Sequence, residues 1–334
     1  MPIRQDGELR RGRTIRILMA GSALAFLLCA GCASVKPVPM SSPREDVVSL
    51  RFDWAPGEAA QVEVSRSLQG SEGRDELVLR YGLQVESGGD GGLRVQRKNV
   101  KIDAMPTLRD PRLAEMIAKE LAQPDWRVNS LGNLVGIDEP TRAQATAASL
   151  LGRLAKTGEI PEALRGRLLG LFGDEGLRRR AAGDWDELVG LWAGGDLEVG
   201  RVYQLRDRLA IDGLGGIGLE MLYEIVLTGR VPCAAGERPD GCVQLEITAS
   251  PEPDQRGRLL AFISTIFPFP ARAIEIEERV TLVTEASGLR PRRLHARHSL
   301  IVPFLAEGEG GAPAPFEQIE ERQVSFAWSR PQAD

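Results

Sequence analysis

The sequence predicts an α+β protein in which mostly antiparallel sheets pack against a central helical segment. Before and after residues 141–192, apolar and polar residues alternate in many stretches, a period typical of strands with one buried face. Within 141–192 the leucines and tryptophans recur at helical spacing instead. A hydrophobic content of 43% is enough for one large core or two modest ones, which excludes a disordered body.

The first 31 residues have the pattern of an export signal. Five arginines precede an apolar run from Ile17 to Leu28, which is shorter than the roughly 20 residues needed to span a bilayer. The stretch Leu28–Cys32 resembles the lipobox of bacterial lipoproteins, in which small residues directly precede a cysteine. This resemblance implies that residues 1–31 form a lipoprotein signal peptide and that Cys32 is lipidated. An ordinary secretory signal whose cleavage site contains a cysteine is the alternative.

The same resemblance implies a location and a set of partners. The chain would be attached to a membrane by its N-terminal lipid and would pass through the lipoprotein export and sorting machinery. Ala33, rather than Asp, follows Cys32, which by resemblance implies an outer-membrane lipoprotein facing the periplasm, with surface exposure left open. The full sequence has a net charge of −5, and removal of the arginine-rich signal makes the remaining chain more acidic still. Because nucleic acids are themselves negatively charged, we expect no nucleic-acid partner.

Composition divides the chain after the signal into four parts. Residues 32–46 are rich in proline and serine and predict a lipidated N-terminus with a flexible tether. Residues 47–140 predict an N-terminal antiparallel β unit with one helix. Residues 141–195 predict the helical segment, and residues 196–330 predict a C-terminal antiparallel β unit, again with one helix.

Individual elements follow from local patterns. The clearest alternation, with apolar residues at every second position, runs from Leu77 to Val85. Asp110-Pro111 marks a helix start, and Pro268 ends a helix predicted over 254–267. The predicted N-terminal strands are 48–54, 62–64, 77–85 and 93–102, followed by a hairpin over 126–137. The predicted C-terminal strands are 199–205, 217–231, 242–249, 274–284, 289–304 and 316–328.

The order of elements repeats along the chain. Gly57 and Gly200 lie 143 positions apart, each before a series of strands, and the same offset brings Asp110 next to the helix start at Asp254. Either the two β units are pseudo-repeated half-barrels that form two sheets, or common elements recur in the same order by chance.

Two cysteines remain after the signal and the lipidated residue are set aside. Cys233 and Cys242 flank a short turn and, in an oxidising compartment, predict a disulfide. A redox-active pair is the alternative, although catalytic pairs usually have the closer Cys-x-x-Cys spacing.

The glycine-rich stretch Gly213–Gly218 matches the G-x-G-x-x-G pattern of dinucleotide sites. The residues before it are polar and alternating, and those after it predict a strand rather than a helix. The context that a dinucleotide site requires is therefore missing, and we interpret the stretch as a hairpin loop.

Titratable residues predict neither catalysis nor metal binding. His295 and His298, three positions apart on a strand, point to opposite faces, so they cannot share a metal ion, and we expect them on a solvated strand face. Two groups of glutamates are expected to form cross-strand charge pairs with the arginines Arg290, Arg292 and Arg293. These glutamates are Glu275, Glu277, Glu278, Glu317, Glu320 and Glu321. We expect no catalytic residue, no cofactor and no metal, and hence no enzyme.

The apolar run from Leu259 to Phe269 is the strongest indication of binding. If helical, it carries apolar side chains almost all round, so it is buried in a core, covers a cavity or contacts another apolar body. The residues that would form the wall of a hydrophobic-ligand site are Leu259, Leu260, Phe262, Ile263, Ile266 and Phe267.

From about Val48 to Trp328, the lipobox, tether, long antiparallel strands and covering helices together resemble the LolA/LolB-like half-barrel carriers of the periplasm. The resemblance implies a non-enzymatic protein that binds an acyl chain or another hydrophobic ligand in a cavity between sheet and helices. The alternative is a structural or interaction lipoprotein with a solid core and no ligand, and a hydrolase ranks behind both.

Overall fold

The computed structural model describes most of the chain after residue 46. The described ranges are 47–70, 73–89, 91–105, 111–211, 217–234, 236–237, 241–266, 271–304 and 315–329. Val48 to Asp334 belong to one compact unit.

Thirteen strands run through the described part of the chain. In chain order they are β1 Val47–Ser49, β2 Ala59–Gly70, β3 Gly73–Ser87, β4 Leu93–Ala104, β5 Asp125–Val128, β6 Leu134–Asp138, β7 Asp196–Glu198, β8 Val202–Ile211, β9 Ile217–Val231, β10 Cys242–Pro251, β11 Glu275–Thr284, β12 Pro291–Val302 and β13 Phe316–Ser329. Eleven of them form one sheet in the order β6-β5-β4-β3-β2-β13-β12-β11-β10-β9-β8, and every neighbouring pair is antiparallel. Strands β1 and β7 form a separate two-stranded sheet.

Five α-helices accompany the strands in the same described ranges. They are α1 Pro111–Leu121, α2 Pro140–Lys156, α3 Glu162–Gly170, α4 Asp174–Trp185 and α5 Pro253–Ile266. Helix α4 continues directly into one π-helical turn, Asp186–Gly190. None of the described helices has the length and apolar character that a membrane crossing requires. The predicted α+β class is confirmed, and α5 and β9 lie within one residue of their predicted bounds.

A continuous apolar core lies on the side of the sheet that faces the helices. Alternate residues of β2, such as Val62 and Val64, are buried there, as the two-residue period predicts. The helices contribute Trp185, which is 0% exposed and lies 5.4 Å, centroid to centroid, from both Trp54 and Trp126. The indole N–H of Trp185 donates a hydrogen bond of 2.9 Å to the carbonyl oxygen of Gly132, so the polar edge of this ring is satisfied.

The two β units share one sheet, which corrects the expectation of two separate sheets. Strands β2 and β13 pair along most of their length, with Val64 opposite Val324. This pairing joins the two halves because it buries the inward residues of both strands in the same core. If the two halves formed separate sheets, β2 and β13 would each be an exposed edge strand. Their pairing removes both of these edges.

The repeated order of elements is visible in the structure. After Gly57 and again after Gly200, three strands are followed by a helix and then by further strands. Gly57 and Gly200 both have positive φ, 91° and 76°, a conformation that favours glycine. Their amide groups donate equivalent hydrogen bonds of 2.8 Å, to the carbonyl oxygen of Val85 in β3 and of Leu227 in β9 respectively. The turn that precedes β2 is therefore built in the same way as the turn that precedes β8.

The predicted disulfide is present. The sulfur atoms of Cys233 and Cys242 are 1.99 Å apart, and the Cα atoms are 5.0 Å apart. Cys242 begins β10 and lies opposite Val231, the last residue of β9. The bond therefore closes the connection between two adjacent strands of the sheet.

Candidate functional site

A charged cleft of about 550 Å³ opens between the sheet and the segment that contains α3, α4 and the π-helical turn. Its wall includes side chains of both charge signs: Arg66, Lys119, Asp184, Glu187, His298 and Arg322. Protein interiors rarely contain so many ionisable groups unless they are paired. The cleft is therefore the strongest candidate for a functional site in the described part of the chain.

The charged groups of the sheet occupy inward positions at one end of an otherwise apolar pattern. On β2, Arg66 follows Val62 and Val64 at the same two-residue period. On β13, Arg322 lies directly opposite Arg66 and precedes Val324. The next inward row is Glu278 on β11, His298 on β12 and Glu320 on β13, which are cross-strand neighbours. The register of four strands thus collects these residues beneath the helices.

Glu120, at the end of α1, is the most deeply buried of these charges. Its side chain is 2% exposed, and Oε1 lies 2.7 Å from Nη1 of Arg66, whose side chain is 13% exposed. Arg97 approaches the other oxygen at 3.7 Å, and Arg66 also pairs with Glu320. Burial would raise the pKa of Glu120, but the guanidinium groups of Arg66 and Arg97 outweigh burial and hold this pKa below its ordinary value. Glu120 is therefore an ionised, paired carboxylate.

Arg322 holds two acidic residues of the helical segment against the sheet. Its Nη1 donates to Oδ1 of Asp184 at 3.2 Å, and its Nη2 contacts Oε2 of Glu187. The side-chain amide of Gln123 donates to the second oxygen of Asp184 at 2.9 Å. Burial raises the pKa of Glu187, Arg322 opposes the rise, and the nearby Asp184 adds to it. The negative charge of Glu187 is therefore less fully balanced by neighbouring cations than the negative charge of Glu120.

A potential metal-binding group lies next to this pair. Oε2 of Glu278 and Nδ1 of His298 are 3.8 Å apart. One ligand atom from each of Glu187, Glu278 and His298 lies within 4.8 Å of the other two. Burial raises the pKa of Glu278 against the opposing effect of His298. Two carboxylates and an imidazole are oxygen and nitrogen ligands that divalent metal ions accept.

The sequence analysis did not predict this group, although it placed the histidines correctly relative to each other. His295 and His298 do lie on opposite faces of β12, and His295 is exposed beside a groove that Ser65 and Gln323 also line. His298 lies on the face of the sheet that carries the helices, where it lines the charged cleft, and its side chain is still 44% exposed. One sequence signal could have identified this group. In a strand whose buried positions are otherwise apolar, a charged or ionisable residue at one of those positions indicates a polar site.

The predicted pairing of the glutamates with Arg290, Arg292 and Arg293 is wrong. In an antiparallel hairpin the residues nearest the turn pair with each other, and all three arginines lie at the turn end of β12. Glu275, Glu277 and Glu278 instead lie opposite Ile301, Ser299 and His298 at the far end. Glu317 and Glu321 lie opposite Ile301 and Arg297, and Glu320 lies opposite His298.

Arg290 pairs elsewhere, with Glu58 at 2.6 Å and Glu285 at 3.6 Å, and Arg292 also pairs with Glu285. Both acidic partners lie outside the two groups of glutamates that the sequence analysis considered. The strands themselves were predicted at these positions. The error lay in the register, that is, in which residues of neighbouring strands lie opposite each other.

The predicted hydrophobic-ligand wall is only partly described. Leu259 is buried in a small apolar cluster that also contains Met221, Ala249, Ala271 and Val302, and Leu260 is half-buried against it. This cluster is separate from the main core. The side chains of Phe262, Ile263 and Ile266, and all of Phe267, lie outside the described residues.

Two other predicted features fall wholly or partly outside the described ranges. Cys32 and the lipobox precede the first described residue. The centre of the glycine-rich stretch, residues 212–216, is also outside them, but Ile211 and Ile217 pair at the ends of β8 and β9.

Comparisons with known proteins assign the chain to no family. No protein-family model matches it, and no curated protein does. Among solved structures, the chain resembles one described as "Lipid-protein interactions in lipovitellin", with 10% identity and a TM-score of 0.37. The match covers 84% of this chain and 26% of the other, so this chain spans about a quarter of that protein's length.

Proposed function

We propose that the protein is a lipid-anchored, non-enzymatic component of the cell envelope whose body has a solid core and acts through contacts at its surface. The observation that carries this proposal is the filling of the space between sheet and helices. Trp185, 0% exposed, packs there against Trp54 and Trp126 in a continuous apolar core. An aromatic cluster at this position supports a structural or interaction protein rather than a carrier with a central apolar cavity.

The character of the charged cleft supports the same proposal. Sites for apolar ligands are concave, mostly apolar and about 300–1,000 Å³ in volume. The cleft has a suitable volume of about 550 Å³, but ionisable side chains such as Arg66, Glu187 and Arg322 form its wall. An acyl chain placed there would desolvate these charges without compensating them, which is unfavourable.

The lipid anchor is tested by labelling. We expect the wild-type chain to incorporate labelled palmitate in a bacterial host, and the C32S variant to incorporate none, because only Cys32 has the lipobox context. The matched control is C29S, which removes the neighbouring cysteine and should keep the label. Label retained in C32S, or absent from the wild type, would contradict the anchor.

A second candidate function is binding of a hydrophobic ligand at the cluster beneath α5. The observation that favours it is that seven apolar side chains around the five buried ones are only partly buried. These seven are Tyr223, Leu260, Ile274, Ile276, Leu300, Phe304 and Phe316. Among the described residues, these side chains make the border of the cluster apolar, and apolar surface patches are typical of sites that bind ligands or partners.

Native mass spectrometry of the chain lacking residues 1–32 separates the two candidates. A solid, ligand-free body predicts a single mass, without lipid that co-purifies from the expression host. Bound lipid would favour the second candidate and overturn the first. In that case L260D should abolish the additional mass, whereas V202D, on an exposed position of edge strand β8, should leave it unchanged.

A further inference from the structure

We propose that Glu187, Glu278 and His298 form a binding site for one divalent first-row transition-metal ion of the Zn²⁺ type. One ligand atom from each residue already lies within 4.8 Å of the other two. The site goes beyond the proposed function, because neither the anchor nor a hydrophobic ligand requires a metal ion.

The donor set fits this class of ion. Zn²⁺ binds imidazole nitrogen and carboxylate oxygen at about 2.0–2.2 Å, so tetrahedral ligand atoms lie about 3.3–3.5 Å apart. The two donors on the sheet, Nδ1 of His298 and Oε2 of Glu278, are 3.8 Å apart and need almost no movement. The ligand atom of Glu187, which lies within 4.8 Å of the other two, is the one that has to move closer when the ion binds. Three protein ligands leave the fourth position for water or for a further ligand, as in open zinc sites.

The elements that carry the three ligands differ in how firmly they hold them. Glu278 and His298 are cross-strand neighbours on β11 and β12, inside the continuous sheet, which fixes their separation. Glu187 belongs to the π-helical turn Asp186–Gly190 that extends α4. Single π-helical turns are rare and are frequently found at functional sites. Here the turn carries Glu187 to the inward face of the two strands.

The surroundings supply the outer contacts that metal ligands usually have. Arg322 contacts Oε2 of Glu187 and so orients this carboxylate, and within the described part of the chain its other oxygen has no hydrogen bond. Glu320 is the cross-strand neighbour of His298 on the side away from Glu278. A carboxylate beside a metal-bound histidine can accept its second ring N–H and orient the ring.

Carboxylates surround the three ligands, although the cleft also contains cationic side chains. Arg322 is positive, but it is shared between Asp184 and Glu187, and Glu278 and Glu320 add two further carboxylates. Arg66 is likewise divided between Glu120 and Glu320. The wall of the cleft further includes Lys119, Arg179 and Arg180. A divalent cation held by the three ligands would have the neighbouring carboxylates as its immediate counter-charge.

The ion also has a route to the site. Glu187 and His298 both line the charged cleft, which is open to solvent and has a volume of about 550 Å³. Water or an exogenous ligand can reach the fourth coordination position by the same route.

Calorimetric titration of Zn²⁺ into the full chain, purified in detergent with a histidine-free tag and stripped with EDTA, tests the proposal. We expect one Zn²⁺ per chain at neutral pH. Since even outer contacts to a metal change affinity about 10- to 100-fold, H298Q and E278Q should each weaken binding by at least about tenfold.

The sheet offers matched controls on its opposite face. H295Q removes the other histidine of β12, and E277Q removes the neighbouring glutamate of β11, and both should leave Zn²⁺ affinity unchanged. Circular dichroism confirms that each variant is folded, and the visible spectrum of the Co²⁺ form should change in H298Q but not in H295Q. A wild-type chain that binds no Zn²⁺, or equal effects of H298Q and H295Q, would overturn the proposal.

Discussion

At the scale of single residues, the most informative group is the buried pair of Glu120 and Arg66. An isolated buried charge is strongly unfavourable, and a pair of buried charges is tolerated only when its geometry and hydrogen bonds are good. Glu120 meets this condition, because Arg66 approaches one of its oxygens and Arg97 the other. Arg97 also lies 4.3 Å from the centre of the Tyr81 ring, so its own guanidinium group is supported on a second side.

We therefore expect E120Q to lower the free energy of unfolding by about 3–5 kcal/mol, since it leaves two buried guanidinium groups without their shared carboxylate. Urea denaturation measures the loss. The matched control on the same helix is E115Q, which removes only the i,i+4 pair with Lys119, worth about 0.3–0.5 kcal/mol. Equal effects of the two substitutions would show that the buried pair adds no stability.

The pH dependence of the same group has a definite sign. The folded-state pKa of Glu120 is lowered, so its ionised form stabilises the protein fully above the ordinary value of about 4.5 and loses this effect as the pH falls below it. The difference in unfolding free energy between wild type and E120Q should therefore be constant from pH 7 to about 4.5 and shrink below. A difference that already shrinks near pH 6 would mean that the pKa is raised instead.

At the scale of single elements, the hairpin of β9 and β10 is held by both its ladder and its disulfide. Cys233 and Cys242 are nine positions apart, and Cys242 lies opposite Val231. A cross-link removes conformational entropy from the unfolded chain, by an amount that grows only with the logarithm of the length of the loop that it closes. The native strands do not need the bond for their register, because nine further residue pairs of the ladder follow Cys242.

We expect the double substitution C233S/C242S to lower the free energy of unfolding by about 2–3 kcal/mol while the folded state persists. Urea denaturation measures the loss of stability, and circular dichroism shows whether the variant is still folded. Reduction of the wild type should reproduce the loss, and reduction of the double variant should have no effect. A variant that does not fold at all would indicate that the bond directs folding rather than merely restricting the unfolded chain.

At the scale of the whole molecule, the pairing of β2 with β13 makes one cooperative body from two similar halves. Val64 lies at this junction, 2% exposed, between Val324 on one side and Leu79 on the other. A change here removes apolar contact from both halves at once. Strand β8, in contrast, is an edge of the sheet, where Val202 is 52% exposed.

We expect V64A to lower the free energy of unfolding by about 1.5–3 kcal/mol, the value of burying a side chain of this size. Unfolding should remain a single transition, and hydrogen exchange should accelerate by the same factor at Leu79 in β3 and Leu245 in β10. V202A is the control and should change stability by less than about 0.5 kcal/mol. Two separate transitions, or faster exchange confined to the first half, would show that the halves unfold independently.

Local patterns in the sequence were sufficient to predict most of the elements and the disulfide, although the strand predicted over 48–54 is limited to Val47–Ser49 in the structure. The strand over 217–231 and the helix over 254–267 are where the alternation of apolar residues and the flanking prolines place them. These signals depend on neighbours a few positions apart, which the backbone geometry of helices and strands translates directly into faces. The same patterns also predicted that His295 and His298 lie on opposite faces of one strand.

Which strand lies beside which, and at what register, depended on packing between distant parts of the chain. Alternation identifies the buried face of a strand but not its partner, so the sequence did not reveal that β2 joins β13 in one sheet. The group of Glu187, Glu278 and His298 depends on the same choice, because each residue comes from a different element and only the folded sheet brings them together. Burial of the shared apolar core selects that arrangement, and the charged cleft is formed where the inward pattern changes from apolar to ionic.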